Sequence, residues 1–218
     1  RVRSRHSCWT ALPILHFADA ISTDKASTVY TDGTESTLPV LNNNSIAYIV
    51  ANAAQQSSLP TTLIEADNVV NGNDNTAQNV VLTDKQDFYA PTNFTATTLT
   101  YTRSNTVGYN SVCLPFAISS ADFGEGAKIE QYTGGVEQNG SATLYFEDTD
   151  NTLDAGTPCL VYCPEEITSW NIVKHDIEVV SSTTKSVDSF GTLNGSYTNK
   201  AIGANNYKLN AAGTAFGV

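Results

Sequence analysis

Alternation of apolar and polar residues runs through most of this chain and limits its fold more than any other feature. Successive side chains of a β-strand point to opposite faces, so alternation predicts strands with one buried face. The pattern is clearest over Asn93–Arg103, but Phe94 and Ala96 have one parity while Leu99 has the other. A β-bulge near Thr97–Thr98 would return these apolar side chains to a single face.

The other predicted strands are short, β-branched or aromatic, and bounded by turn residues. They cover residues 46–50, 80–82, 128–132, 142–146, 159–163, 167–173, 177–180, 207–209 and 215–216. Gly134-Gly135 and Asn139-Gly140 between two of these strands predict a hairpin. No segment has the length and apolar stripe of a packed helix. We therefore predict an all-β fold of the antiparallel β-sandwich or Greek-key type, built from one or two packed β units.

Three regions follow from the spacing of these strands. Residues 104–218 would form a second β-sandwich unit after a first unit at 39–103, or the two would make one continuous domain. Residues 1–38 would be an N-terminal extension or the first strands. Their basic start and apolar stretch imitate a signal peptide, but Pro13 and His16 interrupt it, so we expect a strand there. Since the chain contains no methionine, we expect a mature or excised fragment.

Charge and hydropathy exclude several classes of partner. The formal net charge is −11, and the only basic cluster lies at the first five residues, so binding to nucleic acid is not expected. No apolar run approaches the ~20 residues of a membrane helix, so no membrane insertion is expected. The hydrophobic fraction of 40% is sufficient for a packed core.

The four cysteines do not have the spacing of a zinc site, and they lie at Cys8, Cys113, Cys159 and Cys163. On a strand, Cys159 and Cys163 would share a face about 13 Å apart, too far to form a disulfide with each other. The cysteines are interpreted as small core residues, with a disulfide such as Cys113–Cys159 as the alternative.

Two clusters could bind a ligand. Asp148, Asp150 and Asp154 lie in an acidic loop that could hold Ca²⁺, although the loop lacks the EF-hand glycine and glutamate and also fits a solvated hairpin. Trp170 could stack on a sugar together with Tyr132 and Tyr145, although aromatic residues on sandwich strands more often belong to the core. The face occupied by Trp170 depends on whether its strand is regular before it.

No residue is assigned a catalytic role, and no cofactor is expected. The three histidines are far apart in sequence, and no Gly-x-Ser-x-Gly motif accompanies them. Gly124-Glu125-Gly126 lacks the flanking strand and helix of a phosphate-binding loop. We therefore expect no enzymatic activity.

Several sequence motifs, which occur here in the same order, resemble a region found in secreted and cell-surface proteins of Bacteroidales gut bacteria. Between positions 39 and 218 they are Asn79–Thr97, Tyr101-Thr102-Arg103, a Cys113-Leu114-Pro115-Phe116 strand, a Leu153–Pro158 hairpin and Tyr207–Phe216. The resemblance implies a sandwich-type accessory region of an exported multidomain protein, and it carries no catalytic residues. Family members usually continue into a further strand, whereas this chain stops at Val218.

The resulting prediction is a non-catalytic extracellular or cell-surface module with a structural, adhesion or binding role. Its partners would be other domains or subunits of a surface protein, or a host or dietary glycan or protein. Two alternatives remain. The chain could be a subunit of a surface fibre joined by strand addition, because an incompletely paired sheet accepts a partner's strand. It could also be a carbohydrate-binding module.

Overall fold

A computed structural model describes residues 28–31, 44–49, 61–139, 141–149, 152–198, 208–209 and 216–217. Its strands, in chain order, are β1 (Thr28–Thr31), β2 (Asn44–Ile49), β3 (Val69–Asn71), β4 (Thr76–Thr83), β5 (Phe88–Tyr89), β6 (Phe94–Asn105), β7 (Gly108–Val112), β8 (Ile118–Ser119), β9 (Lys128–Gln138), β10 (Ser141–Asp148), β11 (Thr152–Leu153), β12 (Cys159–Cys163), β13 (Ile167–Val179), β14 (Lys185–Val187), β15 (Thr192–Asn194), β16 (Lys208–Leu209) and β17 (Phe216–Gly217). One helical turn, α1 (Thr61–Ile64), precedes β3, and a 3₁₀ turn (Ser120–Phe123) follows β8.

Two sheets form the body of the protein. The first has the order β1-β2-β3-β4-β6-β13, with β5 beside β2, and the second has the order β10-β9-β12-β7. One buried cluster joins side chains of both sheets, including Leu99 and Tyr101 from β6 with Val161 and Cys163 from β12. The predicted all-β, sandwich-type fold is confirmed, and the Greek-key connection stays a prediction.

Strand direction in the first sheet differs from the predicted antiparallel pairing. The second sheet and the β6–β13 pair are antiparallel, whereas β4 runs parallel to β6, and β2 runs parallel to β1, β3 and β5. Consecutive β3 and β4 form an antiparallel hairpin, but β5 lies between β4 and β6 in the chain and pairs elsewhere. The chain therefore re-enters the sheet beside β4 in the same direction.

The change of phase predicted in β6 is present, and β4 shares it. Ala96 and Leu99 are both buried, so the inward parity switches at Thr97–Thr98 as the sequence predicts. On β4 the buried residues Ala77 and Val80 have the same three-residue spacing. The register of β6 with β4 and with β13 continues unchanged on both sides of the slip, so the predicted β-bulge near Thr97–Thr98 is wrong. Both strands therefore change face together, and the sheet keeps one apolar side.

A bulge in β13 decides the orientation of Trp170. Ile167 pairs with Asn105, and Trp170 pairs with Arg103, so β13 contains one extra residue between the two pairs. The bulge places Ile167 and Trp170 on the same side despite their opposite parity. The indole then packs against the buried cluster.

The two halves of the chain share one strand and one core. The predicted boundary between residues 103 and 104 falls inside β6, and β13 from the predicted second unit pairs along β6. This arrangement favours the alternative of one continuous domain. Of residues 1–38, only Thr28–Thr31 are described, and they form β1. Among the described residues, no helix is long and apolar enough to cross a membrane.

The predicted β9–β10 hairpin is present, with Asn139 at its turn in a left-handed conformation (φ 53°). Gly134 and Gly135 lie inside β9, opposite Tyr145 and Leu144, instead of at the turn. A Cβ on Gly135 would come within 2.5 Å of the Phe190 ring. The glycine is therefore explained by this close approach.

The Cys113–Phe116 segment was expected to be a strand. It follows β7, which ends at Val112, and belongs to no strand. Its carbonyl groups instead hold neighbouring segments: Leu114 O accepts a hydrogen bond from Gly156 N (2.7 Å), and Pro115 O accepts one from Val180 N (2.7 Å). Proline has no backbone N–H to donate to a ladder, which accounts for the interruption.

Substitution of Gly156 by alanine is expected to destabilise the protein by about 1–3 kcal/mol, since φ there is +78°. The new Cβ would also lie 2.7 Å from Ser182 O. Gly108→Ala is the matched control, because φ there is +92° and no atom lies within 4 Å of the added Cβ. Chemical denaturation should show the larger loss for Gly156→Ala, and equal losses would contradict the steric argument.

Candidate functional site

The inward face of β6 ends in polar residues. From position 99 every second side chain of the strand points inward and is buried: Leu99, Tyr101, Arg103 and Asn105. A charged side chain two positions after a core tyrosine therefore points between the two sheets. Arg103 is only 6% exposed.

The guanidinium of Arg103 lies over an aromatic ring and has no counter-charge within the described part of the chain. Its Cζ is 5.2 Å from the centroid of the Phe123 ring, a cation–π arrangement. Among the described residues Arg103 forms no ion pair, and its buried Nε has no hydrogen-bond partner. Both side-chain amide atoms of the neighbouring Asn105 are also buried without partners. Such atoms mark places where water or a ligand completes the bonding.

The 3₁₀ turn that carries Phe123 is attached to β13. Lys174 Nζ forms an ion pair with Asp122 Oδ2 at 2.6 Å, and Trp170 Nε1 donates a hydrogen bond to Asp122 O at 2.7 Å. Asp122 Oδ2 also accepts from Ser119 N. These bonds hold the Phe123 ring beneath Arg103.

Arg103 lines a cavity of about 280 Å³ that both sheets and the loop after β4 enclose. The walls combine charged, aromatic and small polar side chains, and they are Asn44, Leu82, Thr83, Asp84, Lys85, Gln86, Asp87, Phe88, Tyr101, Arg103, Ser111, Val112, Cys113, Leu114, Pro115, Ser196, Tyr197 and Thr198. We call this the Arg103 cavity. Its volume lies just below the ~300–1,000 Å³ typical of drug-sized sites, which limits it to a small ligand.

Hydrogen bonds hold the wall of the Arg103 cavity in place. Buried Asn44 donates from Nδ2 to Thr83 O (2.9 Å) and accepts at Oδ1 from Thr83 N (2.7 Å), as a neighbouring strand would. Tyr101 Oη donates to Asp84 Oδ1 at 2.7 Å. The rings of Phe88 and Tyr197 meet edge to face with centroids 5.5 Å apart. These contacts fix the positions of the side chains that form the wall.

The thiol and phenols of the cavity wall, and the thiol of Cys159 near Cys113, stay protonated at neutral pH. Burial raises the pKa of Cys113 to about 11 and, helped by neighbouring Cys113, the pKa of Cys159 to about 12. Burial also raises the pKa values of Tyr101 and Tyr197. Protonated thiols and phenols donate hydrogen bonds but are poor nucleophiles.

Cysteine placement agrees with the interpretation as core residues. Cys113, Cys159 and Cys163 are free thiols; the last two are buried and Cys113 is half-buried. The thiol of Cys113 donates a hydrogen bond to Gly156 O at 3.3 Å. Cys8 lies outside the described residues.

The three aromatic residues proposed for sugar stacking lie in different environments. Trp170 is half-buried against the core, Tyr132 is 8% exposed, and Tyr145 is 49% exposed. Stacking on a sugar ring requires an accessible aromatic face; Tyr145 is the most exposed of the three, and the stacking site stays a prediction. Tyr132 instead contacts the Phe146 ring, and Phe146 stacks on Phe216.

The acidic loop is only partly described. Asp148 pairs with Lys128 at 3.5 Å, Asp154 is exposed, and Asp150 lies outside the described residues. Within the part of the chain that the structure describes, no cluster of three or more histidine, cysteine or acidic side chains could hold a metal ion. The calcium loop therefore stays a prediction.

Tyr132 donates a hydrogen bond to the carboxylate of Asp188, which lies in the loop between β14 and β15. Its Oη donates to Asp188 Oδ1 at 2.8 Å, and that oxygen also accepts from Gly191 N (2.9 Å) and Phe190 N (3.1 Å). These bonds, led by the one from Gly191, hold the pKa of Asp188 below its usual value of 3.8. Burial, with a smaller effect of Asp188, raises the pKa of Tyr132 to about 12.

Replacing Asp188 by asparagine is expected to lower the melting temperature at neutral pH. A carboxylate whose pKa is lowered by folding stabilises the protein above its unfolded pKa, and this stabilisation is lost as pH falls through the folded pKa. The difference from wild type should therefore shrink on acidification, which thermal melts at decreasing pH would measure. A difference that stays constant down to acid unfolding would contradict this account.

Sequence reasoning did not single out Arg103, although a signal was present. Arg103 has the same parity as Leu99 and Tyr101, so it is a charge at an inward position of the most regular strand. Such a position is rare for arginine unless a partner or ligand compensates it.

Comparison with known proteins adds no relative. The Bacteroidales resemblance therefore stays a prediction that depends on the quoted motifs. No family model, curated protein sequence or solved structure matches this chain.

Proposed function

We propose that this chain is a non-catalytic binding module of an exported bacterial protein, and that the Arg103 cavity is its ligand site. The observation that carries the proposal is a cavity between two sheets whose wall includes buried Arg103, which forms no ion pair with any described residue and whose Nε has no hydrogen-bond partner there. Ligand sites are concave and mostly preformed, with a few polar groups that orient the ligand.

A binding role is favoured over catalysis by the protonation of the cavity groups. A nucleophilic thiol needs a lowered pKa, whereas burial raises the pKa of Cys113, the cysteine of the cavity wall, to about 11. A general acid or base works best with a pKa near the operating pH, and the raised pKa values of Tyr101 and Tyr197 are far from neutral. The cavity therefore offers hydrogen bonds, a cation and aromatic edges for holding a molecule.

Export and cell-surface location rest on the resemblance of residues 39–218 to Bacteroidales surface proteins. Expression of the full-length gene in a Bacteroidales host, followed by proteinase treatment of intact cells, tests the location. We expect the protein to be degraded on intact cells, and protection from the proteinase would contradict an exposed location.

The binding role is tested by thermal melts of the purified chain with a library of sugars, organic acids and amino acids. Ser196→Trp should block the cavity, because Ser196 is exposed and lies on its wall. Val187→Trp is the matched control, since Val187 is 63% exposed and does not line the cavity.

At least one compound is expected to stabilise wild type and the Val187→Trp control, but not Ser196→Trp. Stabilisation that persists in Ser196→Trp, or no stabilisation by any compound, would contradict this site. Turnover of ester, glycoside or peptide substrates by the purified chain would contradict the non-catalytic role.

A second candidate, assembly by strand addition, is favoured by the free edge of the second sheet. Within the described residues β10 pairs only with β9, and its first six residues, 141–146, carry no charge. An uncharged, partly apolar edge strand can form backbone hydrogen bonds with a strand of another molecule. Sedimentation velocity should then show multimers that grow with concentration, and a monomer at every concentration would contradict assembly.

A further inference from the structure

A buried positive charge that has no counter-ion among the described residues is the feature of this fold that most needs an explanation. Arg103 is 94% buried by area (6% exposed), forms no ion pair with a described residue, and has an Nε without an acceptor. Arginine stays charged at every physiological pH, so this group cannot become neutral as a buried lysine would. Buried charges in proteins are normally paired or bound to a ligand.

The nearby protein groups compensate this charge only in part. The Phe123 ring supplies a cation–π contact at 5.2 Å. The Asp84 carboxylate lines the same cavity, but it accepts the Tyr101 hydroxyl at 2.7 Å and lies beyond ion-pair distance of Arg103. Lys85 and Asp87 are the other charged residues of the wall.

We infer that the Arg103 cavity binds the carboxylate group of a small organic acid, which pairs with the Arg103 guanidinium. The inference rests on the proposed binding function and names the class of ligand. A planar guanidinium matches a carboxylate with two parallel hydrogen bonds, and such bonds are stronger in a buried site. The edge-to-face rings of Phe88 and Tyr197 leave an aromatic wall for the rest of the ligand.

The charges of the wall favour a single carboxylate over a phosphate dianion. Among its described residues the wall carries two carboxylates, Asp84 and Asp87, beside Lys85 and Arg103. A dianion would repel these carboxylates more strongly than a monoanion does, and in a partly enclosed space this repulsion is larger than in water. The volume of about 280 Å³ limits the ligand to a small acid.

The test compares carboxylates with neutral molecules of the same shape. Acetate, benzoate and glucuronate are titrated into the purified chain against acetamide, benzamide and glucose, with inorganic phosphate as a separate arm. Calorimetry and thermal melts at constant ionic strength measure binding. We expect at least one carboxylate to bind saturably at one site per chain, and its neutral counterpart and phosphate to bind more weakly.

Arg103→Met removes the charge and keeps a long side chain, and it is expected to weaken carboxylate binding by about 30-fold or more. Arg103→Lys keeps the charge without the planar fork and should give an intermediate loss. Val187→Ala, an exposed substitution outside the cavity, should bind as wild type does. Circular dichroism verifies that each variant folds, and the comparison of acid with amide in wild type needs no variant.

Equal binding of acids and amides, tighter binding of phosphate, or unchanged binding in Arg103→Met would overturn the inference. If no acid binds, but a neutral compound binds wild type and Ser196→Trp abolishes its binding, the binding function stands and the carboxylate assignment fails. If nothing binds at the cavity, both fail.

Discussion

Phe116→Ala is expected to lower the free energy of unfolding by about 3–5 kcal/mol, among the largest losses from a single core substitution. Phe116 is 1% exposed, and its ring meets Tyr101 at an edge-to-face angle of 67° with centroids 5.8 Å apart. Because it packs between the two sheets and lies outside any strand, truncation should leave a void that the rigid ladders cannot close. Natural domains have about 5–15 kcal/mol of stability, so this loss is a large fraction of the total.

Urea denaturation measures the effect, and a fall in melting temperature of about 6–20 °C should accompany it. Phe116→Leu is the informative comparison, since it keeps most of the apolar volume and should cost clearly less than alanine. Val187→Ala, at a side chain 63% exposed, should stay within about 0.5 kcal/mol of wild type. A loss of less than about 1 kcal/mol in Phe116→Ala would show that this ring is not part of the core.

Arg103→Met is expected to raise the free energy of unfolding of the ligand-free protein by about 1–3 kcal/mol, an uncommon direction for a buried substitution. The buried charge has no ionic partner among the described residues, and methionine replaces it with an apolar chain of similar length. The lost cation–π contact with Phe123, worth about 0.5–2 kcal/mol, opposes the gain and is included in that range.

Denaturation of protein dialysed free of small acids measures this change, and the melting temperature should rise by about 2–12 °C. Arg103→Lys retains the charge and should gain little or nothing. A stability loss in Arg103→Met larger than that in Arg103→Lys would mean that the protein itself compensates the guanidinium. The same variant should lose ligand binding, so stability and binding are expected to change in opposite directions.

Most of the longer strands, and the inward face of β6, were predictable because the signal is local. Period-two alternation identified β6 and even its change of phase at Thr97–Thr98, since each side chain's face depends on the residues beside it in sequence. The same reasoning found the β9–β10 hairpin. It placed Gly134-Gly135 incorrectly, because the Phe190 ring that approaches Gly135 is distant in the sequence.

The candidate site was harder to predict. Arg103 has the same inward parity as Leu99 and Tyr101, a signal that was not used, and sequence alone did not show that the space opposite would be open. The cavity wall comes from segments as far apart as Asn44, Asp84, Cys113 and Tyr197. The sugar-stacking site stays a prediction, because a ring's exposure depends on what packs over it, as with Tyr132.

The amino-acid sequence by itself determined an all-β chain, the inward faces of β6 and β12 and the point where β6 changes phase. Tertiary structure decided the parallel pairing of β4 with β6, the matching phase change in β4, the side taken by Trp170 and the burial of Arg103. The physical reason is that alternation is a property of neighbouring residues in one strand. Which strands lie side by side, and which side chain ends beneath a cavity, depends on packing between segments distant in the chain.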